Sequence, residues 1–145
     1  MALIRVEGVS KFNPEGGGPA VLKDISFDVR ERDFLGIVGP SGCGKSTLLR
    51  IVAGLDRPSS GRVLFHGQEV SAPQPRISMV FQSCALFPWR TVLQNIEYGL
   101  ELRKVSQAER RAVALDLAKL VGLAGFEAVY PKRLSGGMKQ RVGIA

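Results

Sequence analysis

Nine residues, Gly39-Pro-Ser-Gly-Cys-Gly-Lys-Ser-Thr47, constrain this chain more than any other stretch, because they spell a glycine-rich loop of the form GxxxxGK[ST]. Ahead of them, Phe34-Leu-Gly-Ile-Val38 is a short apolar run that predicts a strand covered on both faces. Behind them, Leu48, Leu49, Ile51, Val52 and Leu55 recur at helical spacing from Lys45 onward. Strand, loop and helix in that order predict capture of a phosphate chain by backbone. Gly39, Gly42 and Gly44 lack a Cβ and accept positive φ, so successive N–H groups can turn toward an anion at a helix N-terminus. Lys45 is the candidate catalytic cation, reaching the β- and γ-phosphates, and Ser46 the candidate Mg2+ ligand, with Thr47 offering a second hydroxyl. Pro40, Ser41 and Cys43 complete the loop; Cys43 reads as a small filler and not a nucleophile, since no base stands near it in sequence.

Composition narrows the setting. The chain has 145 residues, 45% hydrophobic and 23% charged, which suits one globular unit with its own core. It holds no apolar stretch long enough for a bilayer, and its first residues alternate instead of forming a signal core. Cys43 and Cys84, without a secretory signal, point to a reducing compartment, and His66 alone builds no metal site. The net charge of +7 invites a nucleic-acid partner. Between Arg103 and Arg141, however, nine Lys/Arg face Glu109, Asp116 and Glu127 without interleaved aromatics. A solvated basic face is the expectation, with no nucleic acid bound; steep salt-dependent retention on DNA would argue otherwise.

Taken in order, residues 3–8 predict a strand with Ile4 and Val6 on one face and Arg5 and Glu7 on the other. After the turn from Asn13 to Pro19, Leu22 to Val29 predicts a second strand with Ile25, Phe27 and Val29 inward, paired antiparallel to the first. Phe12, at the mouth of that turn, could cover the core edge or stack on a base. The break from Asp56 to Gly61 precedes a strand at Arg62–Phe65 and a turn at His66-Gly67. A further apolar strand is expected at 77–81, delivering Gln82 at its end. From Thr91 the pattern is helical. Ser106 and Glu109 form a capping-box pair ahead of Val113, Leu117, Leu120 and Val121, with Gly122 as terminator. In Leu134-Ser-Gly-Gly-Met-Lys-Gln-Arg141, Ser135 is expected to cap the last helix.

With Gly39 to Thr47, Gln82 and Leu134 to Arg141 in that order, the chain resembles the nucleotide-binding subunit of an ATP-binding cassette transporter. The resemblance implies an α/β fold of P-loop NTPase type, with an antiparallel β subdomain, a parallel core sheet and a helical subdomain. Residues 1–85 would form the β subdomain and P-loop core, 86–134 the helical subdomain and 135–145 the signature helix. It implies ATP and Mg2+ as cofactors, Phe12 as the adenine-stacking aromatic with Val21 beside it, and Gln82 as a catalytic residue and metal contact. Ser135, Gly136 and Gly137 would contact the γ-phosphate of ATP held by the P-loop of a second nucleotide-binding subunit, in a head-to-tail dimer. The segment from Gln82 to Asn95 would dock transmembrane permease subunits, and through them serve a solute-binding protein, at the cytoplasmic face of the inner membrane. Phe87 and Trp89 could supply that docking surface or pack the helical subdomain. The FPW after Gln82 and the MKQR ending resemble importers of the nitrate, sulfonate and taurine type.

The resemblance also implies parts that these residues lack. The family continues with an Asp/Glu-tipped strand and a switch histidine, whereas no acidic residue follows Ser135 here. Strands flanking 34–38 would likewise come from sequence beyond Ala145, so the expectation is an exposed apolar edge and little hydrolysis by these residues alone.

Overall fold

The computed structural model of the chain describes residues 2–12, 19–81 and 85–145. Two compact units divide it, Met1–Met79 and Val80–Ala145.

The first unit is built on an antiparallel sheet. Strand β1 (Ala2–Lys11) lies between β2 (Leu22–Arg30) and β3 (Ser60–Phe65), and a two-residue β4 (Gln68–Glu69) returns on β3, giving the order β2-β1-β3-β4. Period-two alternation sets the register: Val6 pairs with Phe27 and with Val63, and Ile4, Val6, Ile25, Phe27, Val63 and Phe65 fall on one face. The other face carries charge. Arg5 opposes Asp28 and Glu7 opposes Arg62, joined at 2.9 Å and 2.7 Å across the strands. These exposed pairs fix register more than they stabilise, being worth about 0–1 kcal/mol each. Helix α1 (Lys45–Val52) covers the apolar face with Leu48 and Ile51, which join Val6, Val9 and Val63 in the core. Burial of Ile51, 1% exposed, contributes roughly 2–3 kcal/mol of transfer free energy.

Two expected strands are not formed. Residues 34–38 and 77–81 are irregular, so the parallel core sheet is not part of the described structure. Phe34 is 99% and Val38 93% exposed, while Ile37 and Ile77 pack on the core of the first unit. One side of each run is covered, and neither finds a ladder partner. A strand without a neighbour leaves its N–H and C=O groups to water, and so has nothing to hold it regular. The same shortage leaves Leu49 and Leu55 of the α1 region half-exposed.

The second unit is helical. Helix α2 (Val92–Leu102) opens with a full capping box, Gln94 N–H donating to Thr91 Oγ1 and Thr91 N–H to Gln94 Oε1 at 2.9 Å. Helix α3 (Gln107–Leu120) is capped by Ser106, whose Oγ accepts from Glu109 N–H. Its end is a Schellman turn: Gly122 takes φ 68°, with Leu123 N–H bonding Ala118 O and Gly122 N–H bonding Lys119 O. The buried stripe of α3 differs from the expected one. Ala114 and Ala118, both 0% exposed, face the core, whereas Val113 is 41% and Leu120 81% exposed. Small residues at i and i+4 let α3 sit close to Val92, Leu93 and Ile96 of α2; Leu117 and Val121 of the expected stripe still pack against this cluster, while Val113 and Leu120 turn outward. Helix α4 (Gly136–Ile144) adds Val142 to this cluster, beside Leu134.

Candidate functional site

The phosphate loop sits in the first unit, where residues 39–44 lead into α1 without regular structure. Gly44, at the helix N-cap, has φ 94°, and a Cβ there would lie 2.7 Å from Val21 O and 2.8 Å from Leu22 Cδ2. Only glycine suits this position, on both counts. Gly42 also takes the left-handed region at φ 81°, whereas Gly39, at 158°, lies close to extended backbone. Helix geometry leaves the first N–H groups of α1 without intrahelical acceptors, pointing out of the loop end with the positive pole of the helix. No acidic residue occupies this first turn.

Lys45 folds back over the loop. Its Nζ donates to Gly39 O and Pro40 O, both at 2.7 Å, and its third contact is the weak acceptor Cys43 Sγ at 3.6 Å. Cys43 is an exposed free thiol. Ser41 and Ser46 are exposed, and Thr47 is half-buried. An ammonium held by two exposed carbonyls at the N-terminus of α1 is a positive centre able to turn from carbonyl to phosphate oxygen at little reorganisation.

Phe12 and Val21 flank the other end. Val21 N–H donates to Lys11 O at 2.8 Å, so the two candidate base-contacting residues stand on opposite strands of one hairpin, and Gly44 touches Val21 directly. Phe12 is 52% exposed, so its ring is no core residue. Lys11 Nζ donates to Asp56 Oδ1 at 2.8 Å and to Arg57 O at 2.6 Å. The hydrogen bond from Lys11 holds the Asp56 carboxyl below its usual range. A depressed value means that the Asp56 contribution is complete above the ordinary carboxylate value of about 3.9 and is lost as pH falls through the lowered one. Gln82 and its neighbours Ser83 and Cys84 lie outside the described residues.

In the second unit, Ser135 Oγ accepts from Met138 N–H at 3.3 Å and so caps α4. Ser135, Gly136 and Gly137 are all exposed, and a Cβ on either glycine would meet nothing within 4 Å. Arg141, unremarked in the sequence, anchors the helix: its Nη1 donates to Val121 O at 3.1 Å and Gly122 O at 3.2 Å, the carbonyls that end α3.

The two aromatics of the loop ahead of α2 lie 5.5 Å apart between ring centroids but differ in exposure. Phe87 packs edge-on against Tyr98 at 4.6 Å, with the Arg90 guanidinium 4.9 Å from the Tyr98 ring, whereas Trp89 is 70% exposed. Asn95 ties this loop down. Its Oδ1 accepts from Phe87 N–H at 2.8 Å, and its Nδ2 lies within hydrogen-bond reach of Phe87 O, Arg90 O and Thr91 O. An asparagine in a helix reads from sequence as a weak helix former, and nothing in its spacing tells that it bonds backwards. Asn95→Ala is expected to destabilise the second unit by about 2 kcal/mol, since it strands buried backbone groups. Thermal unfolding and the emission of Trp89, the single tryptophan, check this; an unchanged midpoint and spectrum would contradict it.

Comparison with known proteins agrees with this geometry. A family model described as ABC transporter matches residues 22–145. An uncharacterized ABC transporter ATP-binding protein of Methanocaldococcus jannaschii is 50% identical over 98% of this chain and 54% of its own length. The nitrate import ATP-binding protein NrtD of Synechocystis sp. is 50% identical over 92% of the chain and 50% of its own length, and the taurine import ATP-binding protein TauB of Yersinia pestis 44% over 94% and 54%. The chain thus spans about half the length of these curated relatives. Among solved structures, the ATP-binding cassette MJ0796, in a dimeric post-hydrolysis state bound to ADP and Pi, superposes with a TM-score of 0.87 at 33% identity, covering 97% of this chain and 67% of that one. With a P-loop leading into α1, a serine-capped Ser-Gly-Gly helix, and a family match over most of its length, this chain belongs to the ABC transporter family.

Proposed function

We propose that the chain is part of an ATP-binding subunit that couples ATP binding and hydrolysis to solute import. The observation that carries this is the loop itself, in which left-handed Gly42 and Gly44 bring backbone N–H groups to the end of α1 beneath the Lys45 ammonium. In this reading residues 39–47 cradle the triphosphate, Lys45 offsets charge on the β- and γ-phosphates, Ser46 and Gln82 hold Mg2+, and Phe12 and Val21 receive the adenine. Bound Mg2+ would neutralise phosphate charge, leaving positioning to the protein.

Ser135, Gly136 and Gly137 would meet the nucleotide of a second nucleotide-binding subunit. Two glycines in the first turn of a helix cost about 1 kcal/mol each relative to alanine, and nothing within the fold requires them. A close approach from outside the chain supplies the reason. Exposed Trp89 is the element of the 82–95 segment left for a permease subunit, with Phe87 serving the internal packing. Relatives named for nitrate and taurine import support a small solute of the nitrate, sulfonate and taurine type, and a peripheral place at the cytoplasmic membrane face. Hydrolysis is proposed of the whole protein, since this chain spans about half the length of its curated relatives.

A titration of the chain with a fluorescent ATP analogue tests the reading. Saturable binding that is displaced by ATP but not AMP, and that weakens when Mg2+ is chelated, is the expected result. Signal that ATP cannot displace would sink it.

A further inference from the structure

The Phe12 ring is half-exposed, yet its backbone is held more firmly than an exposed ring needs. Phe12 N–H donates to Ser59 Oγ at 3.1 Å, and Ser59 N–H donates to Ser10 O at 2.8 Å, so one serine grips β1 on both sides of Lys11. Lys11 in turn reaches Asp56 Oδ1 and Arg57 O through its ammonium, and takes Val21 N–H on its carbonyl. Asp56 is itself fixed. Its Oδ1 also accepts from Arg57 N–H at 2.8 Å, and the backbone N–H groups of Leu55 and Asp56 both bond Arg50 O in the last turn of α1.

The network therefore runs from α1, through the turn that follows it, to the residue on either side of the hairpin mouth. Ordering an exposed aromatic costs conformational entropy and returns little burial, so the fold gains nothing for itself by pinning Phe12. A ligand that stacks on the ring does gain, because the backbone that carries the ring is already held. The geometry points to Ser59, which bonds the Phe12 backbone directly, and Asp56, which acts through Lys11, as positioning residues that set the base-stacking surface of Phe12 relative to the helix that carries the phosphate loop. This deepens the nucleotide-binding reading and rests on its assignment of Phe12.

Affinities of the chain for Mg-ATP and for Mg-tripolyphosphate, which has the phosphates without the base, separate base from phosphate contacts. Phe12→Ala is the reference, and is expected to weaken ATP roughly tenfold while leaving tripolyphosphate unchanged. Ser59→Ala and Asp56→Asn are each expected to weaken ATP by roughly threefold to fivefold with tripolyphosphate again unchanged, and Ser59→Thr to restore the ratio. Added to Phe12→Ala, neither should weaken ATP further, since a ring that is absent cannot be misplaced. The inference is overturned if Ser59→Ala and Asp56→Asn leave the ratio of the two affinities unchanged, or lower both affinities equally as a general loosening of the fold would. It is overturned too if either adds in full to Phe12→Ala. Those results leave the base-stacking role of Phe12 standing whenever Phe12→Ala itself lowers the ratio. An unchanged ratio in Phe12→Ala removes that role, and the inference with it. Should Ser59→Ala lose tripolyphosphate binding through misfolding, Asp56→Asn decides the matter alone.

Discussion

Lys45→Ala lowers the affinity of the chain for Mg-ATP by about a hundredfold, whereas Ser135→Ala leaves it unchanged. The first figure follows from charge. A lysine ammonium bridging two phosphates makes two charge-assisted hydrogen bonds of about 1.5 kcal/mol or more each, and their loss, near 3 kcal/mol, is roughly a factor of a hundred. The cation is already placed for this, 2.7 Å from two loop carbonyls, so little ordering is spent when phosphate takes their place. Fold stability should hardly fall, which circular dichroism checks, because the two carbonyls are exposed to water and can be solvated when the ammonium leaves. Ser135 lies in the other unit and caps α4. In the proposed function it meets nucleotide only across a dimer, so the isolated chain should not register its loss beyond about 1 kcal/mol of helix stability. Calorimetric titration of the two variants is the check. Equal losses of ATP affinity would remove the assignment of distinct roles.

Gly61→Ala strongly destabilises the β unit, while Gly67→Ala is tolerated. The two glycines share φ 77°, so the penalty of placing an L side chain in the left-handed region, about 1–2 kcal/mol, applies to both. They differ in space. A Cβ at Gly61 would lie 2.3 Å from Gly8 O and 2.4 Å from Glu7 O, whereas one at Gly67 meets nothing within 4 Å. Those neighbours are backbone of β1 at its irregular stretch between Glu7 and Ser10, where the β1–β3 pairing shifts register, so no side chain can swing aside. Relief requires prising β3 from β1, at about 3 kcal/mol beyond the shared term. On thermal unfolding the midpoints of the two variants should stand roughly 10 °C apart. Coincident midpoints would mean that the bulge relaxes freely.

How much of this could be read without coordinates depends on whether the cause is local. The phosphate loop, the Ser135 cap, the Gly122 terminator and the β1–β2 hairpin were all legible, because each follows from the conformational limits of a few adjacent residues: glycine at positive φ, a hydroxyl before a helix, alternation on a pleated strand. Phe34 to Val38 shows where that reasoning fails. Its composition suits a strand, but a strand is a relation between chains of residues, and composition cannot supply the neighbour whose N–H and C=O groups complete the ladder. The stripe of α3 fails for a related reason, since Val113 and Leu120 have the right spacing, while Ala114 and Ala118 have the size that lets α2 come close.

The ties made by Asn95, Arg141 and the Lys11–Asp56 pair were equally beyond reach. Each polar side chain finds acceptors that only folding brings near: Lys11 and Asp56 are 45 residues apart in sequence and 2.8 Å apart in space. By itself, then, the sequence determined the glycine-rich loop ahead of α1, the caps that start and stop the helices and the motifs that mark the family, because each rests on a few adjacent residues. The tertiary structure alone decided which apolar residues are covered, which aromatic of the 85–95 loop is left outside, and how Phe12 is held, because packing and long-range hydrogen bonds depend on which distant residues the fold makes neighbours.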